Sequence, residues 1–565
     1  MRYKKFIKRD NLNTIEECNL RNFELNNVNE LNNWFIKSNN DQYNIKNLDK
    51  AANLILQYKE KPVFIFGDYD ADGVTSMSII YLALKFKGFK FINYIAPRRD
   101  EGFGLNNNMV NKKGLLANKH GFKCSDCLIV TVDNGIAQID TINYAKKLGF
   151  KVIVTDHHLP SFDSENNKLL PNAEFIINPN AIEDSADYNG YCGAGLAYKL
   201  ATKLLKDDNK KYLLRTIAAI GTVCDQMELR EENYTIVNNA LYDLNNKINR
   251  QLPAFKALAD VFNISHWDSS TFGFTIGPAI NALERVENGA CLEGVKLFTS
   301  FDYDDCFDFA VKLKKYNDKR KYLTSVAMEK ADLILSEENI NEEKPIIIKI
   351  PNIKEGLIGI IAGRICEKYK LPVGVFTNDK DGKTLKGSFR SIEGFNIIEL
   401  LNKANTYFEN YGGHEGAAGA GLMSQNFEKM KSEVLKKSPA IKRESLDEYY
   451  YDLEIDNKNV LEAIEINKKF EPFGLGHQEL KFKINNFQLI PDYGKLISEM
   501  KGNSVRLKSN ETKAIGFGLY DIVKDINKTC NITLYGSIDY NYWKRNDGTL
   551  IITPQIIFDD AVFWY

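Results

Sequence analysis

Three short apolar runs, each ending abruptly in acidic residues, constrain the fold of this chain more than any other feature. Residues 62–66 run into Gly67-Asp68-Tyr69-Asp70-Ala71-Asp72-Gly73. Residues 128–132 run into Asp133-Asn134-Gly135, and residues 152–155 into Asp156-His157-His158. A fourth run covers residues 175–178. Runs of this length, rich in β-branched and aromatic residues, suit buried strands. Helix-like segments at 76–86 and 139–147 lie between them. The alternation predicts βαβ units and a parallel sheet, whose ligands sit at the carboxyl ends of the strands. Each acidic motif falls at such an end.

The motifs have the chemistry of a cation site. Asp68, Asp70 and Asp72 stand at alternate positions just past a strand, and their hard oxygens suit Mn²⁺ or Mg²⁺. An EF-hand loop also begins D-x-D-x-D-G. Its twelfth position should be Glu, and counting from Asp68 it is Ile79. The preceding segment is also strand-like rather than helical. Asp133 alone would read as a turn residue. Histidine is scarce, six in 565 residues, so His157 and His158 side by side after a strand are informative. Asp225, after the helical run 213–220, offers one more carboxylate. Together these groups predict a dinuclear centre. Two cations about 3.5–4 Å apart activate water and stabilise in-line displacement at phosphorus. Asp133, with no close acidic neighbours in sequence, is the expected bridge.

Residues 190–335 read as mostly helical, and 305–335 as one long helix free of Pro and Gly. A charged stretch, 336–345, ends in Pro and marks a boundary. A second α/β unit follows, with strands at 346–350 and 373–376 and a helix near 359–369. It contains two glycine-bearing segments, Gly387-Ser388-Phe389-Arg390-Ser391 and Tyr411-Gly412-Gly413-His414-Glu415-Gly416-Ala417-Ala418-Gly419. Backbone at Gly413 can approach a phosphate closely, and His414 can donate to it. Ser388 and Arg390 could bind a terminal phosphate, as could Arg99 beside Glu101-Gly102-Phe103-Gly104-Leu105; a structural turn or a surface ion pair is the plainer reading of each. After a linker at 436–448, runs at 482–489, 505–507, 514–517, 532–538 and 550–557 suit a five-stranded OB barrel. A small sandwich would have the same spacing. The resulting division is an N-terminal helical extension (1–50), a catalytic domain (51–304), a connecting helix and linker (305–344), a substrate-binding domain (345–437) and an OB-like domain (449–565).

Composition excludes little else. Apolar residues make up 44% and charged residues 26%, as in a globular protein. The basic N-terminus lacks an apolar signal core, and no run is long enough to span a membrane. A cytoplasmic monomer is the expectation, with its nine cysteines reduced. Cys124 and Cys127, near His120, would need two further ligands to hold zinc. A net charge of −1 advertises no nucleic acid, although an acidic site and a basic channel can cancel.

The order DYDADG, VDNG, TDHH and a later Asp resembles the DHH phosphoesterase superfamily, and GGHEGAAG resembles its DHHA1 domain. Within it the chain is similar to the RecJ family of bacterial exonucleases, through EGFGL at 101–105, GPAINALER at 277–285, GSFRS at 387–391 and EPFGLG at 471–476. The resemblance implies two α/β domains joined by a long helix, with an OB fold behind. It implies Mn²⁺- or Mg²⁺-dependent 5′→3′ digestion of single-stranded DNA in repair and recombination, alongside a helicase and a single-strand-binding protein. It assigns Asp70, Asp72, Asp133, His157 and Asp225, with Asp68 beside them, to the metals and His158 to the scissile phosphate. Arg99, Arg285, Ser388 and Arg390 go to the 5′-phosphate and nearby backbone, and His414 to the substrate. Four positions depart from the pattern. Ala279 stands for Arg, Glu284 for Gly, His477 for Asn and Lys354 for His; Glu284 is expected to weaken the positive potential near Arg285. The alternatives are an enzyme for short oligonucleotides or cyclic dinucleotides, which would commonly lack the β-rich tail, and a non-catalytic DNA-binding scaffold, which would have lost the carboxylates.

Overall fold

The computed structural model describes residues 3, 5–102, 104–163, 165–182, 185–205, 210–338, 340, 343–379, 382–441, 448–545 and 547–564. Phe103, and residues 442–447 of the expected linker, lie outside them.

The acidic motifs end strands of a five-stranded, wholly parallel sheet. Its strands are β1 (Val63–Phe66), β2 (Ile92–Ile95), β3 (Leu128–Val132), β4 (Lys151–Thr155) and β5 (Phe175–Ile177), in the order β2-β1-β3-β4-β5. Every residue of β1 and β3 is buried, as a parallel sheet covered on both faces requires. The order reverses direction between β1 and β3, so Asp68–Asp72 and Asp133 flank a topological switch point. Helix α1 (Ala71–Phe86) follows β1 directly. It is buried nearly all round, packed under α2 (Gly193–Leu205) and α3 (Lys211–Cys224).

The expected connecting helix is α5 (Tyr303–Glu337), 35 residues and so about 50 Å long. One part of it packs on α4 (Gly277–Val286), the other on α6 (Glu355–Tyr369) of the second α/β unit. That unit has a mixed sheet. Strands β6 (Ile346–Lys349) and β7 (Val373–Asn378) are parallel, and β8 (Thr384–Arg390), β10 (Ala417–Met423) and β9 (Asn410–His414) extend it antiparallel. The glycine-bearing segments read as turns are therefore largely strands. The glycines accommodate aromatic rings across the sheet: a Cβ at Gly387 would fall 2.2 Å from Phe376, and one at Gly374 2.4 Å from Phe389.

The C-terminal sheet has seven strands where five were expected. The expected five are β12 (Phe482–Gln488), β14 (Ser504–Lys508), β15 (Lys513–Gly516), β16 (Asn531–Lys544) and β17 (Leu550–Trp564). Two short strands, β11 (Leu453–Asp456) and β13 (Ser498–Met500), add to the edges. The pairing is that of an OB fold: β14 with β15, β15 parallel to β17, β17 with β16 and β16 with β12. The Ile490 N–H donates to Lys508 O at 2.9 Å, which draws the first strand toward the second.

Residues before 50 tie the ends of the molecule together. Lys5–Lys8 pairs parallel to Glu448–Tyr451. The helix Ile15–Phe23 packs on Val460–Asn467 beside the OB sheet, and Val28–Asn39 packs on Glu231–Lys247 of the catalytic domain. Between them Phe23 stacks on His477 at 3.6 Å and meets Trp34 and Tyr234 edge-on. The departure at His477 is thus a packing residue, fully buried, with Nε2 3.2 Å from Asn19 Oδ1. Burial pushes its pKa down to about 3. The unfolded chain, with an ordinary value near 6.5, therefore binds a proton that the folded chain refuses. Stability from this group is present above about pH 6.5 and is lost as pH falls from there toward 3. Urea denaturation from pH 7 to 4 should show a shallower loss of stability in His477→Asn than in the parent chain. Parallel pH profiles would show that His477 does not set the acid sensitivity.

Candidate active site

Seven side chains named from the sequence cluster at the carboxyl end of the first sheet. Three groups of ligand atoms each fit within 4.8 Å: Asp68, Asp70 and Asp133; Asp133, His157 and His158; Asp72, His157 and Asp225. Asp133 belongs to two groups and His157 to two. His157 Nε2 lies 3.2 Å from Asp133 Oδ1, 3.6 Å from Asp225 Oδ2 and 3.8 Å from Asp72 Oδ2.

Backbone donors set this geometry. Asp70 is the N-cap of α1 and accepts the Gly73 N–H at 3.0 Å. Asp72 accepts the Gly193 and Ala194 N–H groups at the start of α2, at 2.6 and 2.8 Å. Asp133 takes a left-handed backbone, φ 59°, at the end of β3. Asp225 caps the C-terminal end of α3. Asn281 on α4 accepts the Ala71 N–H at 2.8 Å and pins the DYDADG turn from outside.

The electrostatics call for cations. Burial, then the neighbouring carboxylates, raises the pKa of Asp68, Asp70 and Asp133, and that of Asp225 to about 8. Buried oxygens Asp68 Oδ1 and Asp133 Oδ1 accept no hydrogen bond. Orphaned carboxylate oxygens facing the neutral imidazole of His157 are the donor set of a Mn²⁺ or Mg²⁺ site, so the residues present fit the ions expected. Burial holds His157 below its usual pKa, which keeps a ring nitrogen free to ligate.

Asp156 is a functional residue that the sequence reading left in its motif without a role. It is 1% exposed and accepts the N–H groups of Ile136, His157 and His158 at 2.8–3.1 Å. Its Oδ1 also lies 2.7 Å from His158 Nδ1. Burial alone would lower His158; the bond and charge of Asp156 outweigh it and lift the pKa to about 9. Asp156 thus raises the proton affinity of His158 and fixes the direction of its ring.

The arginines form a second focus. Arg99 stacks over Tyr69 at 4.8 Å, and its buried Nε has no partner. Arg285 donates to Gly356 O at 2.9 Å across the domain boundary. Burial, then Arg99, Arg320 and Arg390, pushes its pKa down to about 10. Arg390 donates to Phe389 O and lies 3.4 Å from Ser388 Oγ. A Cβ at Gly359 would come within 3.1 Å of both side chains, so glycine keeps the pocket open. Arg320, on α5, is a member that no sequence signal marked. Glu284, 2% exposed, accepts the N–H groups of Arg99 and Gly289 and so fixes the Arg99 turn beside Arg285. Ala279 is fully buried, and Lys354 donates to Val286 O. Gly413 and His414 stand apart, exposed at the β9–β10 hairpin, where His414 Nδ1 accepts the Gly416 N–H. Cys124 and Cys127 join no group of metal-ligating side chains among the described residues.

Comparison with known proteins agrees with this layout. Two family models match: DHH family, N-terminal domain, over residues 62–222, and DHHA1 domain over residues 343–437. The single-stranded-DNA-specific exonuclease RecJ of Haemophilus influenzae is 30% identical over 406 residues, 67% of this chain and 67% of that protein. The chain belongs to the RecJ family. RecJ of Bacillus subtilis is 27% identical over 528 residues, 92% of this chain and 64% of that protein. The chain thus spans about two thirds of the length of these curated relatives. Among solved structures, RecJ of Thermus thermophilus in complex with Mn²⁺ superposes with a TM-score of 0.71 at 23% identity, over 92% of this chain and 72% of that one. An exonuclease RecJ bound to manganese has a TM-score of 0.59 at 26% identity, over 71% of this chain and 98% of that one.

Gly193 is a position that neither motif nor composition singled out. A Cβ there would lie 2.5 Å from the Cβ of Asp133 and 2.9 Å from its Cα. Gly193→Ala should therefore push α2 off the site, at a cost of about 1–3 kcal/mol. Chemical denaturation measures the loss; unchanged stability would show that the two segments are not in contact as described.

Proposed function

We propose that the chain is a single-stranded-DNA-specific 5′→3′ exonuclease that uses two divalent cations, Mn²⁺ or Mg²⁺, in DNA repair and recombination. The observation that carries the reading is the sharing of Asp133 and His157 between adjoining groups of ligands. Two ions held side by side by Asp68, Asp70, Asp72, Asp133, His157 and Asp225 would supply activated water and neutralise charge at phosphorus. Asp133, a member of two of the ligand groups, would be shared between them. His158, fixed by Asp156, donates to a non-bridging oxygen of the scissile phosphate. Arg99, Arg285, Ser388 and Arg390 hold the 5′-terminal phosphate, with guanidinium forks suited to it. Gly413 and His414 reach the strand from the exposed hairpin.

The OB domain supports a long strand as substrate rather than a dinucleotide. Tyr493, between β12 and β13, is 93% exposed, Phe517 63% and Trp543, near the β16–β17 turn, 54%. Tyr493 and Trp543 lie at the two loops that bind oligonucleotides in OB folds, and aromatic rings there stack bases without regard to sequence. The scaffold alternative finds no support, because the full set of carboxylates and imidazoles is present. One chain holds both α/β halves of the site, which supports action as a monomer. Single-stranded DNA as substrate supports a cytoplasmic location, with a helicase and a single-strand-binding protein as partners. Among the described residues no helix is long and apolar enough to cross a membrane.

Mn²⁺-dependent digestion of 5′-labelled and 3′-labelled single strands tests the reading. The 5′ label should be released first, and dinucleotides should be poor substrates; release from the 3′ end would overturn the polarity. Asp133→Ala should abolish digestion and lower the Mn²⁺ stoichiometry seen by calorimetry. Full activity in that variant would remove the bridge. Arg390→Ala should reduce the preference for a 5′-phosphate over a 5′-hydroxyl by roughly tenfold, the worth of one charged hydrogen bond. An unchanged preference would take Arg390 out of the pocket.

A further inference from the structure

Asp72 and Asp133 both owe their place to the first turn of α2. The N–H groups of Gly193 and Ala194 hold Asp72 at 2.6 and 2.8 Å. Gly193 also lies so close to Asp133 that a Cβ would fall 2.5 Å from that of the aspartate. Between them these two carboxylates enter all three groups of ligand atoms. A small shift of this turn therefore reaches every group.

The turn is anchored by residues outside the ligand set. Tyr191, two residues before α2, is fully buried, and its hydroxyl donates to Glu232 Oε2. Glu232 is buried in the first turn of the helix Glu231–Lys247. Its other oxygen accepts Lys199 Nζ, from further along α2, at 3.1 Å. Lys199 is buried too and donates to Asp41 Oδ1 at 3.0 Å, while Lys203 Nζ takes the second Asp41 oxygen at 2.5 Å. The neighbour of Glu232, Asn233, donates to Gly190 O at 2.6 Å and to Glu228 O at 3.1 Å. One turn of one helix thus grips the chain at 190 and 191, just ahead of α2.

Buried ion pairs are a poor source of stability, because desolvation offsets their attraction. What a hydroxyl-to-carboxylate bond adds is direction. Apolar packing at the same place would let the turn slide; a hydrogen bond to a carboxylate that is itself ion-paired gives Tyr191 one position.

We propose that Tyr191 and Glu232 are positioning residues of the metal centre. By fixing the start of α2 they keep Asp72 and Asp133 at the spacing that two cations need, and Lys199 and Asp41 complete the anchor. Neither positioning residue touches an ion or the substrate. The proposal rests on the two-cation reading.

Calorimetry of the full chain with Mn²⁺, without DNA, tests it. Tyr191→Phe keeps the ring and removes the bond. It should weaken Mn²⁺ binding by roughly tenfold, the lower end of the loss when the support behind a ligand is removed. On single-stranded DNA, excess Mn²⁺ should restore kcat, with the KM for the strand within twofold of the parent. Tyr234→Phe is the control. It removes a buried hydroxyl from the same helix, one that donates instead to Glu471 O at 2.8 Å, and it should leave Mn²⁺ affinity within twofold. Glu232→Gln, which leaves Tyr191 in place, is read in the same way should the first variant not fold. Folded variants that bind Mn²⁺ as the parent does overturn the positioning role and spare the metal centre. An equal loss of affinity in Tyr234→Phe does the same. A parent chain that binds no Mn²⁺ overturns the two-cation reading, and the proposal with it.

Discussion

The repulsion among buried carboxylates at the edge of the first sheet is the constraint on which the rest of the molecule depends. At 4 Å and an effective dielectric constant near 20, each pair of ionised groups costs about 4 kcal/mol. Among the described residues no lysine pairs with the cluster. It answers with backbone dipoles instead: Gly73 on Asp70, Gly193 and Ala194 on Asp72, and three N–H groups on Asp156. These donors fix the carboxylates without consuming all their oxygens. The remainder, above all the orphaned oxygens of Asp68 and Asp133, is a demand for cations that the protein leaves open. Because the donors sit at the start of α1 and of α2, the packing of these helices is part of the site's chemistry.

Opposite charge is gathered close by rather than dispersed. Arg99 and Arg285 come from the catalytic domain, Arg320 from α5 and Arg390 from β8, near enough for the other three to lower the pKa of Arg285. A net charge of −1 conceals this separation into an acidic focus and a basic one. The helix α5 makes the basic focus possible, since it packs on α4 and α6 at once and holds the two domains at a fixed distance. An extended polyanion can engage both foci only if they keep their spacing.

Much of this was legible in the sequence, for a physical reason. Metal ligands in a parallel sheet follow the strands that carry them, so the short apolar runs located Asp68, Asp133 and His157 before any geometry was known. Residues that act through the backbone left no such trace. Gly193 matters for the Cβ it lacks, and Asp156 for the N–H groups it accepts. Arg320 is one basic residue among many on a long polar helix. The GGHEGAAG segment reads as a turn because glycine is a poor strand former; its partners across the sheet, Phe389 among them, are distant in sequence. The first 50 residues gave no chemistry because their work is packing.

That packing bears on the proposed reading, in which an end-directed hydrolase would have to keep its substrate in register. The OB domain does not hang from the linker alone. Phe23, Tyr234 and Phe473 pack against His477, with Trp34 edge-on to Phe23, Ser269 Oγ donates to Phe473 O at 2.6 Å, and His266 stacks on Tyr542 at 3.8 Å with rings 6° from parallel. These contacts join the OB domain to the catalytic domain along several separate elements. A stacking platform tethered by a flexible linker would sample many distances from the hydrolytic centre, and the strand would slip between cleavages. A platform held by buried aromatic contacts has one distance. The phosphate that reaches the carboxylates is then set by the geometry of the protein rather than by the length of the linker.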